Sequence, residues 1–276
     1  MKKIFFIISL LSLFLIGCEK VVDIDVPSIA PKLIIDAAFE VYFDETPVTS
    51  SSIVKLKLSA DYFNETIPIV TDAVVFVTNL SNSTVIDFSD ANADGSYEPV
   101  TPFIPLEANE YELTVIHDNQ TYKGRATKVK STPLTNVVQG DETLFSGEET
   151  EVKVNFTDRG PEENFYLFDF TNNLFTNIED RFFNDVDYNF SFFYGEDEIN
   201  LPAVVTVKMS GISKAYATYF RILVGQSGQN SGGPFETVPS SLLGNMINTS
   251  NEDNFPLGYF HIAETDTFTL VLVEKE

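Results

Sequence analysis

SSIVKLKLSADYF, residues 51–63, alternates with a period of two. Val54, Leu56 and Leu58 fall on one side, and Lys55 and Lys57 fall on the other. Successive side chains of an extended chain point to opposite faces, so this is a strand with one dry and one wet side. The same reading extends in both directions. Upstream, KLIIDAAFEVYF (32–43) is a strand. Downstream, AVVFVTNL (73–80) ends at the polar turn SNST, and TVIDFS (84–89) follows. EYELTVIHD (110–118) puts Tyr111, Leu113 and Val115 on one face and forms a hairpin with QTYKGRATKV (120–129) across Asp118-Asn119. Residues 32–130 therefore hold about seven short strands with no helical pattern among them. That spacing predicts an all-β fold opening with a β-sandwich of immunoglobulin-like or transthyretin-like type over residues 32–131.

KSTPLTNVVQGDE (130–142) reads as a connector around Pro133, and a second β-rich domain is expected over 132–276. Its strands are EVKVNFTD, FYLFDFTN, part of the acidic, aromatic run 177–200, AVVTVKMSGI, PLGYFHIAE and TFTLVLVEK. One helix is expected near 213–224, capped by Ser213 and ended by Gly225 and Gly228, with Ala215, Tyr219, Ile222 and Leu223 sharing a face. GQNSGGPFETVPSSLLGN (228–245) reads as irregular.

The chain has 276 residues, 17 basic against 41 acidic, and a formal net charge of −24. That balance excludes nucleic acid as a partner, because phosphate binding needs clustered Lys and Arg. It also disfavours electrostatic docking to anionic lipid. The ordinary reading of such acidity is solubility; the sharper one is cation binding.

The N-terminus sets the expected address. MKK is followed by the apolar run Ile4–Ile16, too short for a membrane span and laid out as a secretory signal. Leu15-Ile16-Gly17-Cys18 resembles the lipobox of bacterial lipoproteins. The resemblance implies a signal peptide over 1–17, cleavage before Cys18, and a diacylglycerol on its sulfur. Cys18 is the only cysteine, so it has no disulfide partner in the chain. Two or more acyl chains hold a protein durably where one does not. Residues 18–31 then form a lipidated tether, kept extended by Pro27 and Pro31.

The order of features resembles the DUF4249 family of Bacteroidota lipoproteins, a domain of unknown function. The matching pieces are CEKVVDIDVPSIAPKLIIDAAF after the lipobox, DGSYEP, YELTVIHDNQTYKGRA, FTDRGPEENFY, the helix with GGPFETVPSSLLGN, and LGYF. The family implies a β-rich, two-part lipoprotein of the outer membrane, associated with TonB-dependent receptors, and supplies no catalytic residues to carry over.

Few residues offer chemistry. The two histidines, His117 and His261, are far apart in sequence, and Cys18 is committed to lipid, so zinc is not expected. GQSGQ (225–229) misses the G-x-S-x-G elbow at its last position. The best metal constellation is Asp90, Asn92 and Asp94 followed by Gly95, which matches the start of a calcium loop. The twelfth place is Thr101 rather than Glu, and an ordinary turn uses the same residues. Acidic groups such as Asp185/Asp187 and Glu196/Asp197/Glu198 are expected by chance in so acidic a chain. The expectation is a non-catalytic, outer-membrane-anchored lipoprotein without a resident cofactor, accessory to a TonB-dependent receptor. The alternative is a surface binding or adhesion module for glycan or protein, calcium-assisted through Asp90, Asn92 and Asp94. A hydrolase ranks last.

The lipid assignment is checked directly. Wild-type protein from membranes should lack residues 1–17 and carry the mass of a diacylglycerol on Cys18, while Cys18→Ser should leave the membrane fraction. Mass spectrometry and fractionation read both outcomes.

Overall fold

The alternation in residues 51–58 survives in three dimensions. Val54 and Leu56 are fully buried, and Lys55 and Lys57 are exposed. The computed structural model describes residues 30–60, 66–144, 146–226 and 242–274. The expected signal peptide, Cys18 and nearly all of the expected tether lie outside the described residues, as does most of segment 228–245. From Pro31 onward the chain forms one compact unit, built of strands with a single helix among the described residues.

The strand carrying the alternation, β2 (Thr49–Leu58), pairs antiparallel with β1 (Leu33–Tyr42) along its full length. On its other side β1 pairs in parallel with the C-terminal strand β15 (Leu257–Leu272), from Ile34 opposite Leu257 to Tyr42 opposite Thr265. The facing layer is built from β3 (Val74–Asn79), β4 (Thr84–Ser89), β6 (Glu110–His117) and β7 (Gln120–Val129), in the order β4-β3-β6-β7. Asp118 and Asn119 both have positive φ, 49° and 59°, as a two-residue hairpin turn between β6 and β7 requires. A short strand, β5 (Ser96–Pro99), pairs with both β2 and β4 and joins the layers at one edge. At the other edge Lys128 and Val129 of β7 pair with Ile262 and Ala263 of β15. Unpaired edges invite association with other chains, and these two joins cover them. Phe39, Leu56, Tyr111, Leu113, Phe260 and Ile262 fill the space between the layers.

Beyond β15 the same sheet continues through β13 (Ala203–Ile212), β10 (Phe165–Asp169) and β11 (Phe175–Glu179). A second sheet of β8 (Leu134–Gln139), β9 (Thr150–Thr157) and β12 (Asp187–Tyr194) covers one face. Phe156 sits at the centre of that core, with the rings of Tyr166, Phe168, Phe183 and Tyr188 at 5.0–6.1 Å. Such aromatic pairs add about 0.5–1.5 kcal/mol each beyond the area they bury. The helix α1 (Lys214–Gln226) lies on the opposite face, and the short β14 (Met246–Asn248) pairs with β7.

Three expectations are corrected. The connector 130–142 contains β8, whose alternation is broken by a bulge between Leu134 and Asn136. A bulge puts two residues opposite one, so the period of two is lost. PLGYFHIAE and TFTLVLVEK form one strand rather than two. The polar run between them stays extended because Thr265 is fully buried and bonded to Ser210, while Glu264 and Asp266 accept the amides of Ser131 and Leu134. The helix exists where expected, but it buries Tyr216, Ala217 and Phe220, leaving Ala215 and Leu223 exposed. Aromatic rings supplied by the sheet decide which stripe faces inward.

Gly258 marks where β15 meets β1. Its φ is +98°, and a Cβ there would lie 2.0 Å from the carbonyl oxygen of Ile35. Backbone strain and overpacking each cost on the order of 1–3 kcal/mol. Gly258→Ala is therefore expected to destabilise by about 3 kcal/mol, read as a lower urea midpoint with an unchanged slope.

Candidate functional site

Helix α1 begins at Ser213. The Ser213 hydroxyl accepts the amide of Tyr216 at 3.1 Å, and its carbonyl accepts that of Ala217 at 2.8 Å. Capping of this kind contributes about 1 kcal/mol. Phe220 meets the ring of Phe175 at 5.3 Å, and the Asn177 side-chain amide donates to the carbonyl of Ala217 at 2.9 Å. These contacts hold α1 over β10 and β11 and leave a cavity of about 560 Å³ between them. Cavities of roughly 300–1,000 Å³ are the size that takes a small organic ligand. Phe165, Phe175 and Phe220 form apolar lining, and Arg181, Lys214 and Arg221 supply positive charge.

Two of those cations have carboxylate neighbours. Arg181 lies 3.2 Å from Glu179, and Lys214 lies 3.0 Å from Glu163 with its ammonium 5.6 Å from the centre of the Phe165 ring. Both cations are two-thirds exposed, so these pairs contribute no more than about 1 kcal/mol and open readily. Arg221 forms no ion pair among the described residues.

Under the helix lies a second polar group. His261 on β15 stacks against Tyr216 with ring centres 4.1 Å apart, and its Nδ1 is enclosed without a hydrogen-bond partner. Burial pulls its pKa down to about 4, which the nearby Lys208 reinforces and Glu40 opposes. Glu40 itself accepts from Lys208 at 2.8 Å and from the Tyr42 hydroxyl at 2.8 Å. Burial also pushes the Tyr216 hydroxyl well above the ordinary tyrosine range.

The residues singled out in the sequence are placed elsewhere. Asp90 and Asp94 sit in the turn between β4 and β5 and close it themselves. The two oxygens of Asp90 accept the amides of Asp94 and Gly95 at 3.1 and 2.9 Å, and Asp94 accepts that of Ser96 at 2.8 Å. Asn92 is exposed. Among the described residues no three of His, Cys, Asp and Glu are grouped as a metal would need. His117, at the end of β6, lies 3.2 Å from Asp72 and 3.6 Å from Asp118, both largely exposed, whereas His261 packs against Tyr216 of α1. Asp187 accepts the hydroxyl of Thr157, and Glu198 accepts the amide of Gly195. The cavity was not anticipated. One trace of it was present: Lys214 and Arg221 are seven apart on one helix, among the few cations after Pro161.

Residues 19–269 match the family described as Domain of unknown function (DUF4249). The chain belongs to that family. No curated protein matches it. Among solved structures, the chicken interferon gamma receptor alpha chain is similar at 13% identity, with a TM-score of 0.18, over 67% of this chain and 90% of that one.

His261 generates a prediction with a definite sign. In the unfolded chain it takes up a proton near 6.5, and in the fold only near 4. Between those values the unfolded chain holds more protons, so stability is complete above pH 6.5 and falls as pH drops toward 4. His261→Phe keeps the stacked ring and removes the titration. Relative to that variant, the wild type should lose up to about 1.4 kcal/mol per pH unit across this window, measured by urea unfolding at several pH values.

Proposed function

We propose that this chain is a non-catalytic lipoprotein, held at the outer membrane by acyl chains on Cys18 and accessory to a TonB-dependent transport receptor. The observation that supports this most is the short path from Cys18 to the folded body. Even fully extended, the interval to Pro31 reaches at most about 45 Å, and it leads straight into β1, an interior strand of the large sheet. A body on so short a leash works on something in or beside the membrane. The acidic character, with a net charge of −24, suits a surface kept off anionic headgroups while the lipid holds it near. The family resemblance to lipoproteins associated with such receptors points the same way. Among the described residues no helix is long and apolar enough to cross a membrane.

The test is native co-purification. Tagged protein extracted from membranes in mild detergent should bring down one outer-membrane receptor in stoichiometric amount, and Cys18→Ser should lose it. Recovery of the acylated protein without any such partner would overturn the accessory role and favour a free-standing binding module.

A further inference from the structure

We infer that the cavity beneath α1 is a binding site for an organic anion, a carboxylate or similar acidic head on an apolar body. The lining carries both halves of that description. Phe165 and Phe220 are almost fully buried and, with Phe175, form an apolar floor. Arg181, Lys214 and Arg221 stand around it, contributed by the segment after β11 and by the first residue and the middle of α1.

The charge pattern is the stronger argument. In a chain with 17 basic residues against 41 acidic ones, cations are scarce. Several elsewhere in the body are matched at close range: Lys123 and Arg125 to Glu112, Lys128 to Glu264, and Lys208 to Glu40. Glu112 and Glu264 are side chains only 12% exposed, so those cations serve the fold. Others, such as Lys55 and Lys57, stand exposed on β2. At the cavity the situation differs. Lys214 and Arg181 are themselves two-thirds exposed and meet Glu163 and the half-buried Glu179, the latter also lining the cavity, and Arg221 has no acidic partner among the described residues. An incoming carboxylate can displace Glu163 or Glu179 at little cost and pair with Arg221 through two parallel hydrogen bonds. Guanidinium groups favour that bidentate geometry. The apolar part of the ligand would lie on the phenylalanines, where it loses water that the open cavity otherwise holds. A volume of about 560 Å³ admits a molecule of that kind.

This goes beyond the accessory role by giving it a cargo, and it is tested without reference to any receptor. Intact lipoprotein is placed in phosphatidylcholine nanodiscs and titrated calorimetrically with 4-phenylbutyrate, with 4-phenylbutylamine, and with acetate. The acid should bind measurably below millimolar concentration. The amine should bind at least tenfold more weakly, even though the net charge of −24 favours it at long range. Acetate, which lacks the apolar body, should also bind at least tenfold more weakly. Arg221→Gln should weaken the acid by about tenfold or more. Arg221 is exposed, so this variant keeps its fold, and it also corrects for ligand entering the lipid. Equal binding of acid and amine, equal binding of acetate, no effect of Arg221→Gln, or no binding of the acid at millimolar concentration would each overturn the inference. Co-purification with a receptor is unaffected by any of these outcomes, so failure of one reading is distinguishable from failure of the other.

Discussion

The fold depends on one hydrogen-bonded ladder, that of β15. Along one edge it pairs with β1 from Leu257 to Thr265. Along the other it pairs first with β7 at Ile262 and Ala263, and then with β13 from Thr265 to Leu272. Its first half contributes Phe260 and Ile262 to one core, and its last residues bring Leu272 to the other. Both cores are therefore closed by the final strand of the chain. β1 cannot complete its pairing until β15 has been made. Such long-range pairing is costly in loop entropy, and it predicts slow folding relative to local hairpins.

Polar groups reinforce this join. Glu264 holds Lys128 at 2.8 Å and accepts the amide of Ser131, and Asp266 accepts the amide of Leu134. The connector between β7 and β8 is thus fastened to the middle of β15, where the strand changes partners. The charged residues of β15 therefore have a structural task, and their polarity is no sign of a turn. The same economy governs the cations. Those on β7 answer Glu112 and Glu264, while at the cavity Arg181 and Lys214 hold Glu179 and Glu163 through more exposed contacts.

The helix links fold and site. Its aromatic stripe, Tyr216 and Phe220, rests on Tyr259, His261 and Phe175. That docking buries the imidazole of His261 and depresses its pKa, and it leaves the cavity on the side of β10 and β11. Stability near neutral pH and the shape of the candidate site thus come from one contact surface.

Alternation was enough to read β2 and β6, because each shows one run of apolar residues at every second position. The hairpin at Asp118-Asn119 was legible from turn chemistry, and the capped helix from Ser213. The strand β8 was hidden by its bulge, and the continuity of β15 by Glu264 and Asp266, whose partners are more than 130 positions away. Asp90 and Asp94 close the turn between β4 and β5 by accepting nearby amides, a local use of short acidic side chains that the sequence already allowed beside the calcium reading. The sequence by itself determined the all-β class, most strand positions and the family, because these rest on local periodicity and on ordered motifs. Tertiary structure alone decided which residues share the cavity. Phe165, Phe175, Arg181, Lys214, Phe220 and Arg221 come from separate elements, and only the packing of α1 on the sheet sets them around one space.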